Sequence, residues 1–585
     1  MTKTFRNAYH FIPRGPSEEV EFAPSHDCYT GLSGRITCTL TLEQPTVIGG
    51  KRSHTPGHYH RLEQFCFQGA PAIPATSLKG LISSIAEAAS LSRYRVLKDE
   101  ALTVLLPMRQ PAANAAEYLM HRKTDLGGVH DYVDKKLRPR AATTDSLSLA
   151  DQMFGFVIDK ATGTGSAYAG HVRPSIGTLT SPAEKAFDTG GDYRFDSESG
   201  DWVRLKELSQ PMKGWPKNNA TYRSATPNFY FREKGNASTD FISKAGFAAG
   251  KSEKYEIQGQ KAYLHRLQSD RADSQPWKTA ASVVDDQRRE GNKGPAIDRK
   301  TAVQPLSKGT TFTFTLDFDN LSPAMLDLLC FALRPSAAFR HKIGYGKPLG
   351  LGSVRIDPVE LVLVNRAERY GKEPDIFAQR NAAPDDLTAR AARHAEWLKS
   401  KHPAALKAML LIGETHDFGA DAKSIPTQAP PVLWVPLTTE KFDTLRTDNA
   451  AQAERDSFKW FSNNDRAHAG NQRLKPIGAS DTALPVLQTG PLPQGDRHNA
   501  AGQGRGQGGP PQAGGGAAPA VLHRDAEGKV TSKGPVLGWI NDSISFNQAS
   551  AKGMWNRLER GDSVLFDIAA GPAGQIAINI RLEDD

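Results

Sequence analysis

The sequence has few cysteines and no long apolar run. Its 585 residues include four cysteines, and none has the C-x-x-C spacing of zinc knuckles and redox sites. No stretch approaches the ~20 apolar residues that a membrane-spanning helix needs, and the first residues lack the apolar core of a secretory signal. We therefore expect a cytoplasmic protein with no membrane partner, no metal and no cofactor.

Several chemical motifs are also missing. Residues 341–354 read HKIGYGKPLGLGSV, but Gly346 and Lys347 are followed by Pro348 rather than Ser or Thr, which excludes a P-loop. The glycines follow a predicted helix and read G-x-G-x-x-x-G, which excludes a Rossmann fingerprint. We also find no nucleophile elbow and no pair of acids. The sequence favours binding over catalysis.

The charge balance is positive. There are 73 Lys and Arg against 64 Asp and Glu, giving a formal net charge of +9. This excess favours a polyanionic partner. The chain is also too long for one ordinary core, so several domains are expected.

Residues 500–520, AAGQGRGQGGPPQAGGGAAPA, form the clearest boundary, since they contain almost nothing that could pack. Such a tether spans roughly 25 Å on average. We predict four parts: a main domain at 1–365 with an insertion at about 177–305, a helical and mixed appendage at 366–490, a flexible linker at 491–520 and an independent module at 521–585.

Hydrophobic periodicity predicts the elements of the main domain. Arg35–Leu42 and Thr311–Phe318 alternate as half-buried strands do. Helical spacing runs from Ser77 to Val96, with Ser77 placed to cap, and from Ser322 to Leu333, capped by Ser322.

A further strand is predicted at Val354–Val364, broken at Pro358, and another near Ala169–Ile176. The order of elements fits a split β-α-β arrangement in an α+β fold. A helical pattern covers Asp385–Leu411, and a short strand is expected at Val432–Leu437.

The segment Ile73–Leu81, IPATSLKGL, resembles the "IPGSSLKG" signature of the CRISPR-associated RAMP proteins, the backbone-type subunits of type III effector complexes. In this family the segment follows a strand and opens a helix. The resemblance implies that Ser77, Lys79 and Gly80 contact RNA phosphates.

Two more segments resemble the same family. Gln152–Phe156 with Ala169–Arg173 is similar to the family's "lFG…aGrv" element, which implies RNA contacts at His171 and Arg173. Residues 341–354 resemble its glycine-rich loop. There the resemblance implies RNA contact through charged side chains and through glycines that permit positive φ, namely His341, Lys342, Gly344, Gly346, Lys347, Gly350 and Gly352.

The resemblance implies a ferredoxin-like, RNA-recognition-type sheet that binds CRISPR RNA or other single-stranded RNA, beside other CRISPR effector subunits. The sequence lacks a clean RNP1 string of stacking aromatics, so we expect contacts to the RNA backbone. Cations of the insertion would extend the contact: Lys217, Arg223, Arg232, Lys251, Lys254 and Lys261.

Target cleavage is not expected. The loop after the first strand, Val47–Arg61, has no acid before Glu63, where cleaving relatives carry an aspartate. Two alternatives stay open. The first is metal-independent processing of precursor RNA by His54, His58 and His60. The second is an adaptor that binds proteins only.

Residues 528–582 resemble a cold-shock domain, a small OB barrel. Leu537–Ile540, LGWI, is similar to its "FGFI" string, and Asp542–Gln548 to "DVFVHQ". The resemblance implies weak nucleic-acid binding through Lys533, Trp539 and Phe546. Residues 521–585 hold seven Lys and Arg against nine Asp and Glu, a net charge of −2, so docking to a protein is the open alternative.

Overall fold

The computed structural model describes the chain in separated ranges. They are residues 4–18, 27–53, 60–109, 119–141, 146–158, 165–188, 202–205, 213–217, 220–224, 227–235, 242, 244–265, 300–383, 386–414, 433–434, 473–477, 484–485, 521–533, 537–541, 544–547, 551, 557–571 and 574–582. Two compact units are formed, one by residues 1–102 with 126–492 and the other by 103–125 with 493–585. Within the described ranges, no helix has the length and apolarity to cross a bilayer. The predicted linker at 491–520 lies outside them.

Strands and helices both occur in the first unit, and the fold is α+β. Up to residue 190 the elements are β1 (Thr4–Arg6), β2 (Tyr9–Ile12), β3 (Leu32–Leu42), β4 (Gly49–Ser53), β5 (His60–Gln64), β6 (Cys66–Phe67), β7 (Ala70–Ile73), α1 (Ala75–Ala89), β8 (Ala101–Arg109), β9 (Leu119–Gly128), α2 (Leu149–Phe154), β10 (Phe156–Val157), β11 (Ala167–Tyr168), β12 (Val172–Pro174) and β13 (Gly177–Leu179).

The remaining elements of both units follow in chain order. They are β14 (Val203–Arg204), β15 (Lys213–Lys217), β16 (Ala220–Ser224), α3 (Pro227–Tyr230), β17 (Phe231–Glu233), α4 (Lys244–Lys254, kinked at Lys251), β18 (Tyr255–Ile257), β19 (Gln260–Tyr263), β20 (Thr301–Val303), β21 (Thr311–Leu321), α5 (Pro323–Leu333), β22 (His341–Lys342), β23 (Ser353–Val364), α6 (Arg366–Arg369), β24 (Gln379–Asn381), α7 (Asp386–Lys401), α8 (Pro403–Gly413), β25 (Leu433–Trp434), β26 (Leu484–Pro485), β27 (Val521–Lys533), β28 (Leu537–Ile540), β29 (Ile544–Asn547), β30 (Ser563–Gly571) and β31 (Gly574–Leu582).

The central sheet has the strand order β22-β23-β3-β21-β13-β7-β6, and β12 also pairs with β21. Strand β3 lies antiparallel between β21 and β23, and β12 is antiparallel to β21. The two strands that alternation predicted around residues 35–42 and 311–318 are therefore confirmed, and they are neighbours at the middle of the sheet.

One face of this sheet forms the main core. The alternating residues Ile36, Cys38 and Leu40 of β3 are fully buried, as is Phe312 of β21. Helices α1 and α5 contribute apolar side chains to the same cluster. This separation of faces explains why the strand pattern is visible in the sequence, because only one face of each strand has to be apolar.

The other face carries hydroxyl groups. Register aligns Thr37, Thr39 and Thr41 of β3 with Thr315, Thr313 and Thr311 of β21. These side chains are partly exposed. At its centre the open face thus presents threonines where an RNA-recognition sheet would present stacking aromatics, in agreement with the missing RNP1 string.

Helix boundaries differ in part from the prediction. Helix α1 begins at Ala75 after Pro74, and no side chain caps it, so the prediction that Ser77 is the cap is wrong. The helix ends at Ala89 and not near Val96, since Leu91 adopts a left-handed backbone with φ 51°.

Other local predictions are confirmed. Ser322 caps α5 by accepting a hydrogen bond from the Met325 amide at 3.2 Å. Strand β23 shifts register just after Pro358. The helical stretch predicted at 385–411 is helical but consists of two helices, because Pro403 disfavours helical geometry at His402.

In the second unit, β27 to β31 close into a barrel in the order β27-β28-β29-β31-β30. Its core contains Val530, Ile540, Phe546, Leu558 and Phe566. Each of these side chains is at most 1% exposed. The C-terminal residues thus have an apolar core of their own.

Candidate nucleic-acid interface

Three cations meet beside the first turns of α1. Lys79 is half-buried on α1, and burial lowers its pKa, with the charges of Arg95 and Arg173 lowering it further. Strand β12, which carries Arg173, packs against α1, and Arg95 donates to Ser83 of the same helix. We call these three side chains the α1 cluster (Lys79, Arg95 and Arg173). A site of this kind attracts an anion, because an anion would relieve the repulsion among the cations.

Arg95 has a fixed orientation in this cluster. One Nη donates to the carbonyl oxygen of Gly155 at 3.2 Å, and the other donates to Ser83 Oγ. Its guanidinium also lies over the ring of Phe154, 5.5 Å from the centroid, and its Nε is 3.6 Å from Glu87. Arg95 was not singled out from the sequence, because its distance from Lys79 depends on the tertiary fold.

Arg173 is held by a buried hydrogen-bond chain. Its guanidinium pairs with Asp319, whose other oxygen accepts a hydrogen bond from His171 Nδ1 at 2.7 Å. On the far side of the ring, the Tyr168 hydroxyl lies 2.9 Å from His171 Nε2. Burial alone would raise the pKa of Asp319, but the hydrogen bonds from His171 and Arg173 outweigh it and hold that pKa below its usual value.

The two predicted contacts in this segment have different positions. The Arg173 side chain is 60% exposed, whereas that of His171 is 0% exposed. The prediction that His171 contacts RNA is therefore wrong, because both of its ring nitrogens face protein groups. His171 instead positions the carboxylate that holds Arg173.

A second arginine lies beside Arg173 on the open face of the sheet. Arg173 is aligned with Asp317 of β21, which is aligned with Arg35 of β3. Arg35 Nε donates to Asp317 at 2.6 Å and stays 57% exposed. The sequence does contain a signal for Arg35, since it occupies a polar-face position of a predicted strand.

The other residues of the α1 segment are less distinctive. The backbone amide of Ser77 donates to the carbonyl oxygen of Pro74 at 2.9 Å within the first turn. Gly80 is exposed, and no heavy atom lies within 4 Å of the position that a Cβ would take. A ligand could therefore approach the backbone closely at Gly80.

The glycine-rich loop has the backbone that was predicted. Gly344, Gly346, Gly350 and Gly352 all have positive φ, between 73° and 96°. At two of these glycines, however, the backbone lies close to other backbone atoms of the protein and not to an open surface. A Cβ on Gly344 would lie 2.1 Å from the Val47 carbonyl oxygen, and one on Gly352 would lie 2.0 Å from that of Ile343.

The basic residues of this loop are engaged or buried. Lys342 Nζ donates to the carbonyl oxygens of Gly350 and Leu351 at 3.0 and 2.9 Å. His341 donates from Nε2 to Leu333, and burial lowers its pKa to about 4. The prediction that His341 supplies charge is therefore wrong near neutral pH.

Two further residues of the loop remain accessible to some degree. Lys347 is partly buried, and burial lowers its pKa. Tyr345, which the sequence pattern does not single out, is 39% exposed, and its hydroxyl lies 3.1 Å from Thr301 Oγ1. Tyr345 is the aromatic side chain that this loop offers to a ligand.

The fold keeps the α1 cluster and the loop apart. Arg173 is aligned with Asp317 of β21. The strand that follows the loop, β23, is aligned at Val354 with Leu42 of β3, and the neighbouring Thr41 is aligned with Thr311 of β21. Asp317 and Thr311 are six residues apart on β21, which is roughly 20 Å at strand spacing. A strand of RNA that touches both must extend over several nucleotides.

The histidine loop can be described only in part. His54 and His58 lie outside the described residues, and Lys51 is exposed on β4. His60 begins β5, and its amide donates to the carbonyl oxygen of Lys300 at 3.0 Å. Within the ranges that the structure describes, no group of His, Cys, Asp and Glu side chains could hold a metal ion.

Most described cations of the insertion have acidic or aromatic partners. Arg232 pairs with Glu256 at 2.7 Å, and Lys254 pairs with Glu233 at 2.9 Å. Lys261 lies 3.9 Å from the centroid of the Tyr9 ring. Lys251 is exposed, and the side chains of Lys217 and Arg223 are outside the described part.

The barrel does not offer the predicted stacking pair. Phe546 is 0% exposed in the barrel core, so the prediction that it stacks on a base is wrong. Lys533 Nζ donates to the carbonyl oxygen of Leu558 at 2.7 Å. The side chain of Trp539 lies outside the described part.

Comparisons with known proteins identify the family. No curated protein matches the sequence. Among solved structures, the chain is similar to one from a structure titled "Type IV-B CRISPR Complex", with 11% identity over 58% of this chain and 96% of that chain, at a TM-score of 0.20. The family model of the RAMP superfamily matches residues 39–355. This match covers more than half of the sequence, and the protein belongs to the RAMP superfamily.

Proposed function

We propose that the protein is an RNA-binding subunit of a type III-like CRISPR antiviral ribonucleoprotein. It holds guide RNA, or a guide–target duplex, by the phosphate backbone. The observation that carries this proposal is the α1 cluster, with Lys79 on helix α1 and Arg173 on the strand β12 that packs against it, inside the segment matched by the RAMP model. Membership of this superfamily makes RNA the first polyanion to consider.

The chemistry of the cluster suits a phosphate. Arg173 is exposed and already oriented by Asp319, so little side-chain freedom is lost when it binds. The depressed pKa of Lys79 reports burial and repulsion from Arg95 and Arg173, both of which a bound phosphate would offset. Arg35 adds a further exposed guanidinium on the same sheet.

This mode of binding reads little sequence. The centre of the open face carries Thr37, Thr39 and Thr41 rather than aromatics. Hydroxyls and arginines contact phosphate and ribose groups, which carry no base identity. The specificity of the ribonucleoprotein would then come from base pairing by the guide.

We place no target cleavage in this chain, since the loop that bears an aspartate in cleaving relatives has no acid before Glu63. The strand order β23-β3-β21-β12 supports a ferredoxin-like core within residues 1–365. We propose that 366–490 is an appendage, that 491–520 is a linker and that the barrel at 521–585 is a cold-shock-like OB domain. The burial of Phe546 favours a docking role for this barrel over base stacking.

The direct experiment is to purify the full chain from cells that express a CRISPR array and to sequence the RNA that copurifies. A Lys79→Ala, Arg173→Ala variant is purified in parallel. Its control is Lys372→Ala, Lys399→Ala, which removes the same charge from exposed positions elsewhere. Guide RNAs enriched with wild type and control but lost with the variant support the proposal. Equal RNA content in all three proteins contradicts it.

A further inference from the structure

A cavity of about 570 Å³ opens beside helix α1. One side is formed by Gly80, Ser83 and Ser84 of α1 and another by the segment around Tyr94–Glu100. Strands β18 and β19 supply a further part of the wall through residues such as Ile257 and Lys261. This volume lies within the range of about 300 to 1,000 Å³ that is usual for small-molecule sites.

Four aromatic side chains line part of the cavity, namely Phe11, Tyr94, Tyr230 and Phe231. Phe11 and Phe231 line it and are buried, and Tyr230 lines it with a partly buried ring. The rings of Phe11 and Tyr230 pack edge to face, with 5.6 Å between centroids. Such packing fixes the orientation of the rings, and fixed aromatic walls favour a flat ligand.

Lys261 supplies a charged hydrogen-bond donor to this cavity. Its ammonium lies 3.9 Å from the centroid of the Tyr9 ring and 3.2 Å from the Tyr230 hydroxyl, to which it donates. Burial lowers the pKa of Lys261 to about 8, so the ammonium form still dominates at pH 7. Its remaining protons can be donated to an oxygen or nitrogen acceptor of a ligand.

The charge around the cavity is positive. Glu87 is compensated by Arg14, with 3.3 Å between Nη1 and Oε1, and by Arg95 at 3.6 Å. The residues that line the cavity comprise three cations and two acids, for a net charge of +1: Arg95, Lys98 and Lys261 against Glu87 and Glu100. A neutral or anionic ligand is therefore favoured over a cation.

Arg95 connects this cavity to the α1 cluster. It lines the cavity, and its charge also depresses the pKa of Lys79. Gly80, next to Lys79 in the sequence, is exposed at the cavity edge. A phosphate held by Lys79 and Arg173 would therefore lie near Arg95 and Gly80, which line one side of the cavity.

We propose that this cavity takes the base of one nucleotide of the RNA strand whose phosphates contact the α1 cluster. The base lies against the aromatic side chains, and a carbonyl oxygen or ring nitrogen of its edge accepts a hydrogen bond from Lys261. The inference rests on the proposed RNA binding and adds a base subsite to it.

The test uses the full chain and a set of RNAs in which one base at a time is removed to give an abasic site. Stacking of a base on protein aromatics is worth roughly 5- to 150-fold in affinity. We expect one abasic position to weaken binding to wild type by a factor in this range. Equal affinity of wild type for intact RNA and for every abasic RNA overturns the inference.

A cavity-filling variant locates the effect. Ser84 is exposed on α1 and lines the cavity, so Ser84→Trp would obstruct it without changing charge, and Ser84→Ala is the matched control. Ser84→Trp should bind intact RNA as weakly as wild type binds the critical abasic RNA, and it should lose sensitivity to that position. Ser84→Ala should behave as wild type. An unchanged abasic profile in Ser84→Trp contradicts the inference.

Two further outcomes distinguish failure of the proposed function from binding of a free nucleotide. If wild type binds no RNA while the Lys79→Ala, Arg173→Ala variant is equally inactive, the proposed function itself fails. If UMP or AMP alone binds wild type but not Ser84→Trp, and RNA binding ignores every abasic position, the occupant is a free nucleotide and the base subsite is wrong.

Discussion

His171 donates a hydrogen bond from Nδ1 to Asp319 at 2.7 Å, and the same carboxylate holds the guanidinium of Arg173. The two basic residues of the segment AGHVR therefore have different roles. His171 is buried and orients the carboxylate, while Arg173 stays exposed and is oriented by it.

We predict that His171→Ala destabilises the protein by about 2 to 3 kcal/mol, because it leaves Tyr168 and Asp319 without their buried partner. Chemical denaturation measures this change. The variant should also bind RNA more weakly, but the dependence of affinity on salt should keep its wild-type slope, since no exposed cation is removed.

Arg173→Ala should change the salt slope and leave stability almost unchanged. Its side chain is 60% exposed, so stability should change by less than about 1 kcal/mol. The logarithmic salt slope for single-stranded RNA should fall by about 0.7, the value of one phosphate contact. If His171→Ala changes the slope and Arg173→Ala does not, the assigned roles are reversed.

Gly344→Ala and Gly352→Ala should each cost more than about 3 kcal/mol of stability. The new Cβ would add a clash with a carbonyl oxygen, at 2.1 and 2.0 Å, to the strain of positive φ, which alone costs about 1 to 2 kcal/mol. Gly69→Ala is the control, because φ is 80° there and nothing lies within 4 Å. Equal losses of unfolding free energy at all three positions would show that the clashes with the carbonyl oxygens of Val47 and Ile343 do not contribute.

Acid should destabilise the first unit through two buried histidines. Burial lowers the pKa of His341 and of His394 from 6.5 to about 4. Between these values the unfolded chain binds more protons, so the free energy of unfolding falls as pH falls from 6.5 to 4, by about 3 kcal/mol for each ring. Thermal unfolding of His341→Gln and His394→Gln over this window should show a shallower decline. Slopes equal to wild type would refute the assignment.

Phe546→Ala should unfold the barrel. Loss of a fully buried phenyl ring costs about 3 to 5 kcal/mol, a large part of the stability of a small domain. Limited proteolysis of the full Phe546→Ala chain should then cleave within residues 521–585. Glu559→Ala changes an exposed residue, and that variant should resist cleavage as wild type does. An intact barrel with weakened RNA binding would restore a stacking role to Phe546.

The sequence predicts those features that depend on local pattern. Strands β3 and β21 were found because one face of each is apolar and the other is not. Ser322 was recognised as a cap because the proline after it starts α5. The positive φ of the loop glycines was expected from their spacing, since few other residues adopt such a backbone.

The same pattern fails where burial depends on distant partners. His171 is buried against Asp319, which is 148 residues away in sequence, and nothing near position 171 indicates this contact. Arg95 joins Lys79 only after the chain leaves α1 and returns. In β29, alternation does not reveal that Phe546 faces the core.

The most direct test of the account is the affinity of purified protein for single-stranded RNA between 50 and 200 mM salt, measured by fluorescence anisotropy. We predict that Lys79→Ala, Arg173→Ala lowers both the affinity and the salt slope, the latter by about 1.4 for two lost phosphate contacts. The exposed control Lys372→Ala, Lys399→Ala should keep the wild-type slope. A slope that is the same in all three proteins would contradict the assignment of the α1 cluster as the phosphate-binding site.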